Sequence, residues 1–279
     1  MRRHLTAATA LAALAVGALA AAPRAGAQDE RDRDRNRDRD PNAFRWEGKI
    51  PRGRWLRVKN LNGGIRVVAG DDDVTQVRGE KSWRRGDPRD VRFEVVRDGD
   101  NVTICALWFD NSSCDAEGYH SHGDRGRGRN NDVSVEFTVA LARGVKVDAS
   151  AVNGSVDVRG ARAEVVARSV NGRVDAETST GPVEATTVNG SVHVRMAALD
   201  DGDSDMDFGS VNGSVTVEVP EDFDADLEMS TVNGSLRSDF PLTVSGRFNS
   251  RHLRAQLGRG GRRVKMHSVN GSIELRKIE

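Results

Sequence analysis

Seven Asn-Gly dipeptides recur along the chain, and they restrict its fold more than any other feature. Six of them lie in the C-terminal half, where successive copies are 18, 18, 23, 21 and 37 residues apart. A repeat of this kind is typical of stacked structural units, and it is too short for a propeller blade. The copies are Asn62-Gly63, Asn153-Gly154, Asn171-Gly172, Asn189-Gly190, Asn212-Gly213, Asn233-Gly234 and Asn270-Gly271.

Apolar and polar residues alternate on both flanks of the dipeptides. Around Asn189, for example, Val183 and Ala185 precede the dipeptide and Val192 and Val194 follow it. A period of two predicts strands with one buried face on each side. In the six C-terminal copies, the buried position two residues before the asparagine is small or hydroxylated: Ala151, Ser169, Thr187, Ser210, Thr231 and Ser268.

Two arrangements fit these flanks. Asn-Gly is a strong hairpin signal because both residues tolerate positive φ, and a hairpin would pair the two flanks within one unit. The regular period instead allows each flank to pair with its equivalent in the next unit, as in a parallel β-solenoid. Outward charges support the second arrangement, because Arg159, Glu177, Arg195 and Glu218 alternate in sign from unit to unit and would face opposite charges in register.

We therefore predict an all-β fold, a parallel β-solenoid (β-helix-like) with repeats of about 18–23 residues. Each Asn-Gly is predicted to be the corner of one coil, where the two residues take a tight turn. Stacked asparagine amides would bond from coil to coil. The apolar flanks would fill a core that a single coil cannot bury.

The pattern is less regular outside the dense repeats. Asn62-Gly63 resembles the same corner near the start of the domain, and "DVRFEVV", "NVTICALW" and "DVSVEFTVAL" are predicted strands. Residues Asp110–Asp132 are predicted to form a long polar loop. The insertions Asp200–Asp207 and Phe240–Arg263 are predicted to bulge from the side of the solenoid.

The N-terminal residues predict export. Residues 1–27 combine Arg2 and Arg3, an apolar run and a small-residue site ending at Ala27, which is the pattern of a secretory signal peptide. Residues 28–43 are predicted to be a charged disordered linker because they contain "DERDRDRNRDRD" and little to bury. Residues 44–279 then form the solenoid domain, in the periplasm, at the cell surface or outside the cell.

Charge and cysteine content limit the function classes. Removal of residues 1–27 leaves 39 basic and 42 acidic residues, so the charge gives no reason to expect nucleic acid as a partner. No apolar stretch after the signal is long enough to cross a bilayer. Cys105 and Cys114 enclose eight residues in an exported chain, which predicts a structural disulfide in place of a redox pair.

Acidic and histidine-rich stretches are the candidates for a metal site. Asp201, Asp203, Asp205 and Asp207 have the alternate spacing of a calcium loop, but the closing glycine and glutamate are missing, so a solvated acidic turn is the simpler interpretation. The histidine-containing loop near Cys114 lacks the spacing of a zinc site. The sequence predicts no cofactor and no catalytic residue.

The repeats "SVNGRV" from Ser169, "SVNGSV" from Ser210 and "SVNGSI" from Ser268 resemble a bacterial family of exported repeat domains labelled as adhesins (domain of unknown function 4097). The resemblance covers about Leu56 to Glu279. It implies a β-solenoid, an envelope or surface location and a non-enzymatic role, and it transfers no catalytic residue.

Three functions remain open from the sequence. The first is an exported adhesin-like structural or binding solenoid whose partner is an envelope protein or a glycan. The second is a carbohydrate-active β-helix enzyme, a polysaccharide lyase or hydrolase, which needs acidic residues that converge in a groove. The third is a calcium-stabilised binding rod, whose melting would depend on calcium. Since all four tryptophans precede the dense repeats, a glycan site is expected in the N-terminal third. Open ends of the stack would favour self-association.

Overall fold

The structure is a computed structural model that describes residues 42–70, 73–108, 111–121, 131–198, 204–244 and 249–278. The predicted signal peptide and nearly all of the predicted linker lie outside these residues. The described residues belong to one unit, Arg39–Glu279. They form strands throughout, with one short 3-10 helix at Pro88–Asp90, and they confirm the all-β prediction.

The strands before the dense repeats are β1 (Ala43–Gly48), β2 (Trp55–Asn62), β3 (Ile65–Ala69), β4 (Thr75–Ser82), β5 (Arg92–Asp98), β6 (Asn101–Leu107), β7 (Ser112–Cys114), β8 (Tyr119–Ser121) and β9 (Ser134–Leu141). The repeats contain β10 (Lys146–Asn153), β11 (Val156–Ala161), β12 (Val165–Asn171), β13 (Val174–Thr178), β14 (Val183–Asn189), β15 (Val192–Met196), β16 (Met206–Asn212), β17 (Val215–Val219), β18 (Ala225–Asn233) and β19 (Leu236–Ser238). The last strands are β20 (Thr243–Val244), β21 (His252–Leu257), β22 (Arg263–Asn270) and β23 (Ile273–Lys277).

Two long sheets enclose the core. Sheet A has the strand order β1-β4-β9-β3-β11-β13-β15-β17-β23-β19, and sheet B has the order β20-β21-β18-β22-β16-β14-β12-β10-β2-β6-β5. Inward side chains of both sheets form one apolar cluster. The alternation seen in the sequence places them there, because every second residue of a strand faces the same side.

Each coil consists of a sheet B strand, an Asn-Gly corner and a sheet A strand. Neighbouring coils pair in parallel, with asparagine on asparagine, as in Asn153 opposite Asn171 and Asn171 opposite Asn189. The hairpin alternative is therefore wrong and the parallel β-solenoid is confirmed. The predicted charge column is also in register. In the strand pairing, Arg159 lies opposite Glu177, Glu177 lies opposite Arg195, and Arg195 lies opposite Glu218.

The order of the coils differs from the order of the sequence at the C-terminal end. The coil of Asn270 pairs with the coil of Asn212 on one side and with the coil of Asn233 on the other. The chain therefore leaves a space after the Asn212 coil, builds the terminal Asn233 coil, and returns to fill the space with its last two strands. The expectation that each unit pairs with the next unit in sequence is wrong at this point.

Strands without an Asn-Gly corner extend the N-terminal end of the stack. In sheet B, β6 lies parallel on β2 and β5 pairs antiparallel with β6. In sheet A, β9 lies parallel on β3, followed by antiparallel β4 and β1. Phe93 joins the two sheets, because its ring stacks on Phe44 at 4.7 Å and meets Phe137 edge-on at 5.9 Å.

The insertion predicted as a side bulge at Phe240–Arg263 instead extends the C-terminal end. It contains β20 and β21, and β21 pairs antiparallel with the terminal strand β18. Sheet A ends at the three-residue strand β19. For the other insertion, residues 199–203 lie outside the described residues, and Met206 and Asp207 already belong to β16.

Candidate interaction surface

The small or hydroxylated position before each corner has a defined structural role. The hydroxyl of Thr187 donates to the carbonyl oxygen of Gly172 in the preceding coil at 2.8 Å. Ser169, Ser210, Ser268 and Thr231 make the same bond to the corner glycine of an adjacent coil, at 2.8–2.9 Å. This hydroxyl column satisfies carbonyl groups that the turn withdraws from the sheets, and a buried acceptor without a partner would be costly.

The corner glycines are required by close approach between coils. A Cβ on Gly190 would lie 2.2 Å from the carbonyl oxygen of Gly172, and a Cβ on Gly213 would lie 1.9 Å from that of Gly190. Among the seven corner glycines only Gly63 has a positive φ, of 108°. The expectation that these residues serve a positive-φ turn therefore applies to the first corner, and the other six are explained by space.

The asparagines of the corners form a continuous ladder on the surface. Each amide nitrogen from Asn171 onward donates to the amide oxygen of the asparagine in the adjacent coil, at 2.8–2.9 Å. Asn62 instead donates to the carbonyl of Val133, at 2.9 Å, because the strand beyond it has no Asn-Gly corner. The ladder fixes the coils relative to one another, and it is uncharged.

A column of exposed valines runs beside the ladder. Val170, Val188, Val211 and Val269 are each 39% exposed, and Val232 is 55% exposed. An exposed valine column was not among the sequence predictions. A signal existed, because in each repeat a valine occupies the outward phase of the alternation, next to the buried hydroxyl residue.

The outer face of sheet A carries charges that neutralise one another. Asp157 accepts from Arg159 at 2.9 Å, and the register neighbour Asp175 accepts from Arg173 at 2.5 Å. Further along the stack, Glu218 accepts from Arg195 of the neighbouring coil at 3.2 Å. The first two pairs each lie within one coil, whereas the pair of Arg195 and Glu218 joins two coils and favours one register, although an exposed ion pair contributes little stability.

The outer face of sheet B holds a more buried ion pair. Lys59 Nζ lies 2.6 Å from the carboxylate of Asp148 and 3.0 Å from the hydroxyl of Ser150. Burial lowers the pKa of Lys59, and the neighbouring Asp148 acts in the opposite direction. The pair connects adjacent coils, as Arg195 and Glu218 do in sheet A.

Two of the four calcium candidates lie outside the described residues, namely Asp201 and Asp203. Asp205 faces a cation, since its carboxylate is 3.8 Å from Nη1 of Arg263. Within the described ranges, no group of three or more histidine, cysteine or acidic side chains is placed to hold a metal ion. The calcium site stays a prediction.

Asp207 is also surrounded by basic groups. Its carboxylate lies 3.0 Å from Nδ1 of His267, a contact without good hydrogen-bond alignment, and 3.9 Å from Nζ of Lys265. Burial alone would raise the pKa of Asp207, but the contact with His267 and the charge of Lys265 outweigh it and hold the pKa below its ordinary value. These neighbours compete with a divalent cation for the carboxylate.

The two cysteines join a core strand to the predicted polar loop, in which only Cys114 lies. Cys105 in β6 and Cys114 in β7 form a disulfide, with the sulfur atoms 2.00 Å apart. The loop is more ordered than predicted, because β7 and β8 form a small hairpin. His120 contacts Asp115 at 2.8 Å, and His122 lies outside the described residues.

The tryptophans of the N-terminal third differ in exposure. Trp108 is 5% exposed and donates to the carbonyl of Val133 at 3.0 Å. Trp46 and Trp55 are half-buried beneath cationic side chains. Trp83 is 39% exposed and is therefore the tryptophan best placed to contact a sugar ring.

A recess of about 660 Å³ opens at the C-terminal end, beside β19. Leu236, Phe240, Leu242 and Leu253 contribute its apolar lining. Leu236 is only half-buried, whereas its register partner Ile273 in the adjacent coil is fully buried. The recess lies where the next strand of sheet A would be.

The chain that forms these parallel coils and stacked Asn-Gly corners matches the model of a known family. The Toastrack DUF4097 family matches residues 50–276. The chain belongs to this family. No curated protein matches the chain significantly, and no helix in the described ranges has the length and apolar character needed to cross a bilayer.

Three solved structures align with 85% of this chain, and all three are distant in sequence. One is a putative cell adhesion protein from Clostridium sporogenes ATCC 15579, with 11% identity, 85% of this chain and 100% of that chain covered, and a TM-score of 0.47. A putative adhesin, BF0245, from Bacteroides fragilis NCTC 9343 has 10% identity, coverage of 85% and 97%, and a TM-score of 0.30. A putative adhesin from Parabacteroides distasonis ATCC 8503 has 9% identity, coverage of 85% and 97%, and a TM-score of 0.25. Likenesses this weak transfer no function.

Proposed function

We propose that this Toastrack protein is an exported, non-enzymatic rod of the cell envelope or cell surface that binds an envelope protein or a glycan in the manner of an adhesin. The observation that carries the proposal is the outer surface of the coils. Ion pairs such as that of Arg195 and Glu218, and the asparagine ladder, connect neighbouring coils. Such a surface is rigid and repetitive, which suits binding and spacing better than chemistry.

The arrangement of the acidic residues favours binding over catalysis. A glycoside hydrolase needs two carboxyl groups about 5–10 Å apart, with one free to donate a proton and the other free to attack or to activate water. Asp157 and Asp175 are neighbours in adjacent coils, but each is held by an arginine. Because a guanidinium group occupies the oxygens of each carboxylate, neither carboxylate is free for the two roles.

Export is supported by the predicted signal peptide and by the disulfide. Disulfides persist in oxidising compartments such as the periplasm and the cell exterior. The bond between Cys105 and Cys114 joins two strands of the N-terminal end. A protein that matures outside the cytoplasm would gain this restraint during export.

A fractionation and binding experiment tests the proposal. The full chain is expressed with a C-terminal tag in a bacterial host, and the mature N-terminus is determined by mass spectrometry. We expect the protein outside the cytoplasm, beginning at Gln28. Retention in the cytoplasm with an intact N-terminus would refute export.

The exported protein is then incubated with isolated cell envelopes and with envelope polysaccharides. We expect it to sediment with one of them and to leave the polysaccharide chain length unchanged. A Trp83→Ala variant, compared with a Trp108→Phe variant at the buried ring, tests whether the exposed tryptophan contributes. Release of shortened or unsaturated sugars by the unaltered protein would contradict the non-enzymatic role and favour the carbohydrate-active alternative.

A further inference from the structure

The C-terminal end of the stack is stepped, because the two sheets end at different levels. Sheet B continues with β21 and β20 beyond the last coil, whereas sheet A stops at β19, a strand of three residues. A further strand of sheet A would lie beside β19 and opposite β21. This place is the recess that Leu236 and Leu253 line.

The edge strand β19 presents unpaired backbone groups to the recess. The carbonyl of Ser235 accepts from Ile273 of the neighbouring strand β23 at 2.9 Å. Because backbone groups alternate along a strand, the N–H and C=O groups of Leu236 and the N–H of Ser238 point away from β23, toward the recess. Within the described ranges, β23 is the one strand paired with β19. A row of backbone groups of this kind is satisfied by another extended chain.

The lining of the recess is apolar where the core of the stack ends. Leu236 is half-buried, although its register partner Ile273 in the adjacent coil is fully buried. Leu253 of β21 is buried and faces the recess from the side of sheet B. An apolar side chain on a strand added beside β19 would cover Leu236 and extend the core by one level.

Two arginines, Arg237 and Arg251, are the charged side chains in the lining of the recess within the described ranges. Arg237 lies 3.7 Å from Glu274 of the adjacent coil, so its charge is already paired. Arg251 is exposed and has no ion-pair partner among the described residues. It lies two residues before Leu253 and lines the same recess. The recess therefore favours a carboxylate close to an apolar side chain.

A second copy of the chain stacked end to end does not fit the recess. At the N-terminal end sheet A adds β9, β4 and β1 beyond the first Asn-Gly coil and sheet B adds β6 and β5, so sheet A projects by one strand. The recess is two strands deep, because both β21 and β20 extend beyond the level of β19. Seating β1 on β19 would bring β5 of the second copy against β20. A single extended segment has no second sheet and meets no such obstacle.

We propose that the recess binds an extended segment of an envelope protein, which adds to β19 as a further strand of sheet A and carries an apolar side chain and a carboxylate on its inward face. The apolar side chain lies beside Leu236 and opposite Leu253, and the carboxylate lies at Arg251. Strand addition of this kind takes its affinity from backbone hydrogen bonds and its specificity from alternate side chains. The inference rests on the proposed function, because it selects a protein partner and places it at the end of the rod.

A synthetic peptide with blocked ends, Asp-Thr-Val-Thr-Val-Thr-Asp, is the probe. Its sequence reads the same in both directions, so valine and aspartate share one face whichever way the strand runs. We expect the peptide to bind the full exported protein in calorimetric titrations and to slow hydrogen exchange at the amides of Leu236 and Ser238. Absence of binding up to the solubility limit of the peptide overturns the proposal, and so does binding that leaves both amides unprotected.

Charge variants test the role of the carboxylate. Arg251→Gln should weaken binding of the peptide about threefold, which corresponds to the loss of one exposed ion pair. Arg254→Gln is the matched control and should leave binding unchanged, because Arg254 lies on the outward side of β21 beside Glu228. A peptide with asparagine in place of aspartate should bind the native protein about threefold more weakly, and the Arg251→Gln variant should not distinguish the two peptides. Equal binding of both peptides to the native protein would contradict the proposal.

Methylation of backbone nitrogens in the peptide tests strand addition without altering the protein. One peptide carries N-methyl groups on its threonines, and another carries them on its valines. Because the N–H groups of a strand alternate between its two edges, one of these peptides should lose binding about tenfold and the other should keep it. The peptide that loses binding also reports whether the added strand is parallel or antiparallel to β19. Equal affinities of the two methylated peptides would overturn the proposal.

Binding to envelopes separates this inference from the proposed function. Excess peptide and the Arg251→Gln substitution should each reduce sedimentation of the protein with isolated envelopes. Sedimentation that neither of them changes would overturn the inference and leave the adhesin-like role standing. Peptide binding at β19 without any sedimentation with envelopes would support the strand-binding recess and refute the envelope role.

Discussion

The hydroxyl column at the corners makes a specific prediction about stability. In Thr187→Val the side chain keeps its shape but loses the hydroxyl that donates to the carbonyl of Gly172 at 2.8 Å. Thr187 is 5% exposed, so water cannot readily replace the donor. An orphaned buried acceptor costs about 1–3 kcal/mol, and the added methyl group recovers part of that.

We expect the substitution to lower the free energy of unfolding by about 1–2 kcal/mol, which for a domain of this size corresponds to a decrease in melting temperature of roughly 2–8 °C. Urea unfolding followed by circular dichroism measures the first quantity and calorimetry the second. Thr186→Val is the matched control, because Thr186 lies on the outward face of the same strand and its change should stay within about 0.5 kcal/mol. Equal losses at the two positions, or no loss at Thr187, would refute the role of the hydroxyl column.

Four further outcomes are expected. Gly190→Ala, whose Cβ would lie 2.2 Å from the carbonyl oxygen of Gly172, should displace the coil and cost more than about 3 kcal/mol, measured by urea unfolding; a loss near 1 kcal/mol would show that the corner can relax. Reduction of the Cys105–Cys114 disulfide, which closes a loop with a sequence separation of 9, should cost about 2–3 kcal/mol in melts with and without reductant. Acid should destabilise the protein between pH 4 and pH 2, because hydrogen bonds from Arg89 lower the pKa of Asp87 to about 2 and the backbone of Gly86 and Arg85 lowers that of Asp132; a carboxyl group with a depressed folded pKa loses its contribution as pH falls through that value, and Asp132→Asn should flatten the pH dependence of melting. Calcium and chelator should leave the melting temperature unchanged, because Asp205 and Asp207 face basic side chains; a decrease on chelation would instead make Asp201, Asp203, Asp205 and Asp207 ligands.

The regular coils could be predicted because the sequence of each repeat indicates which of its residues are buried and how neighbouring strands are aligned. The period of two indicates which side chains face the core, and the alternating charges at Arg159, Glu177, Arg195 and Glu218 support the parallel register that the structure shows. Both signals act between adjacent strands. They are therefore visible in the repeat itself.

The order of the coils could not be predicted in the same way. All corners are alike, so the Asn270 coil fits against the coil of Asn212 or of Asn233 equally well by pattern. The separation of 37 residues between Asn233 and Asn270 allows the chain to return, but no local sequence feature indicates which coil it returns to. The strands β5, β6 and β9 were predicted, but their places at the end of the stack were not, because they carry no Asn-Gly corner, and β21 was missed for the same reason.

The candidate surface was predicted only in part. The asparagine ladder follows from the repeat, but the role of the glycines does not, since a sequence cannot distinguish positive φ from close approach of another coil. Gly190 and Gly213 owe their identity to the carbonyl groups of neighbouring coils. The recess beside Leu236 depends on where sheet A ends, which is a property of the coil order.

The measurement that tests this account most directly is cysteine cross-linking across the coils. The hydroxyls of Ser235 and Ser272 lie 3.1 Å apart in adjacent coils, whereas the Asn270 coil separates Ser214 from Ser235. The paired substitutions Ser235→Cys and Ser272→Cys should therefore form a disulfide within one chain, and Ser214→Cys with Ser235→Cys should not. Cross-linking of the second pair without the first would show that the coils stack in sequence order, and would contradict both the inserted last coil and the stepped end built on it.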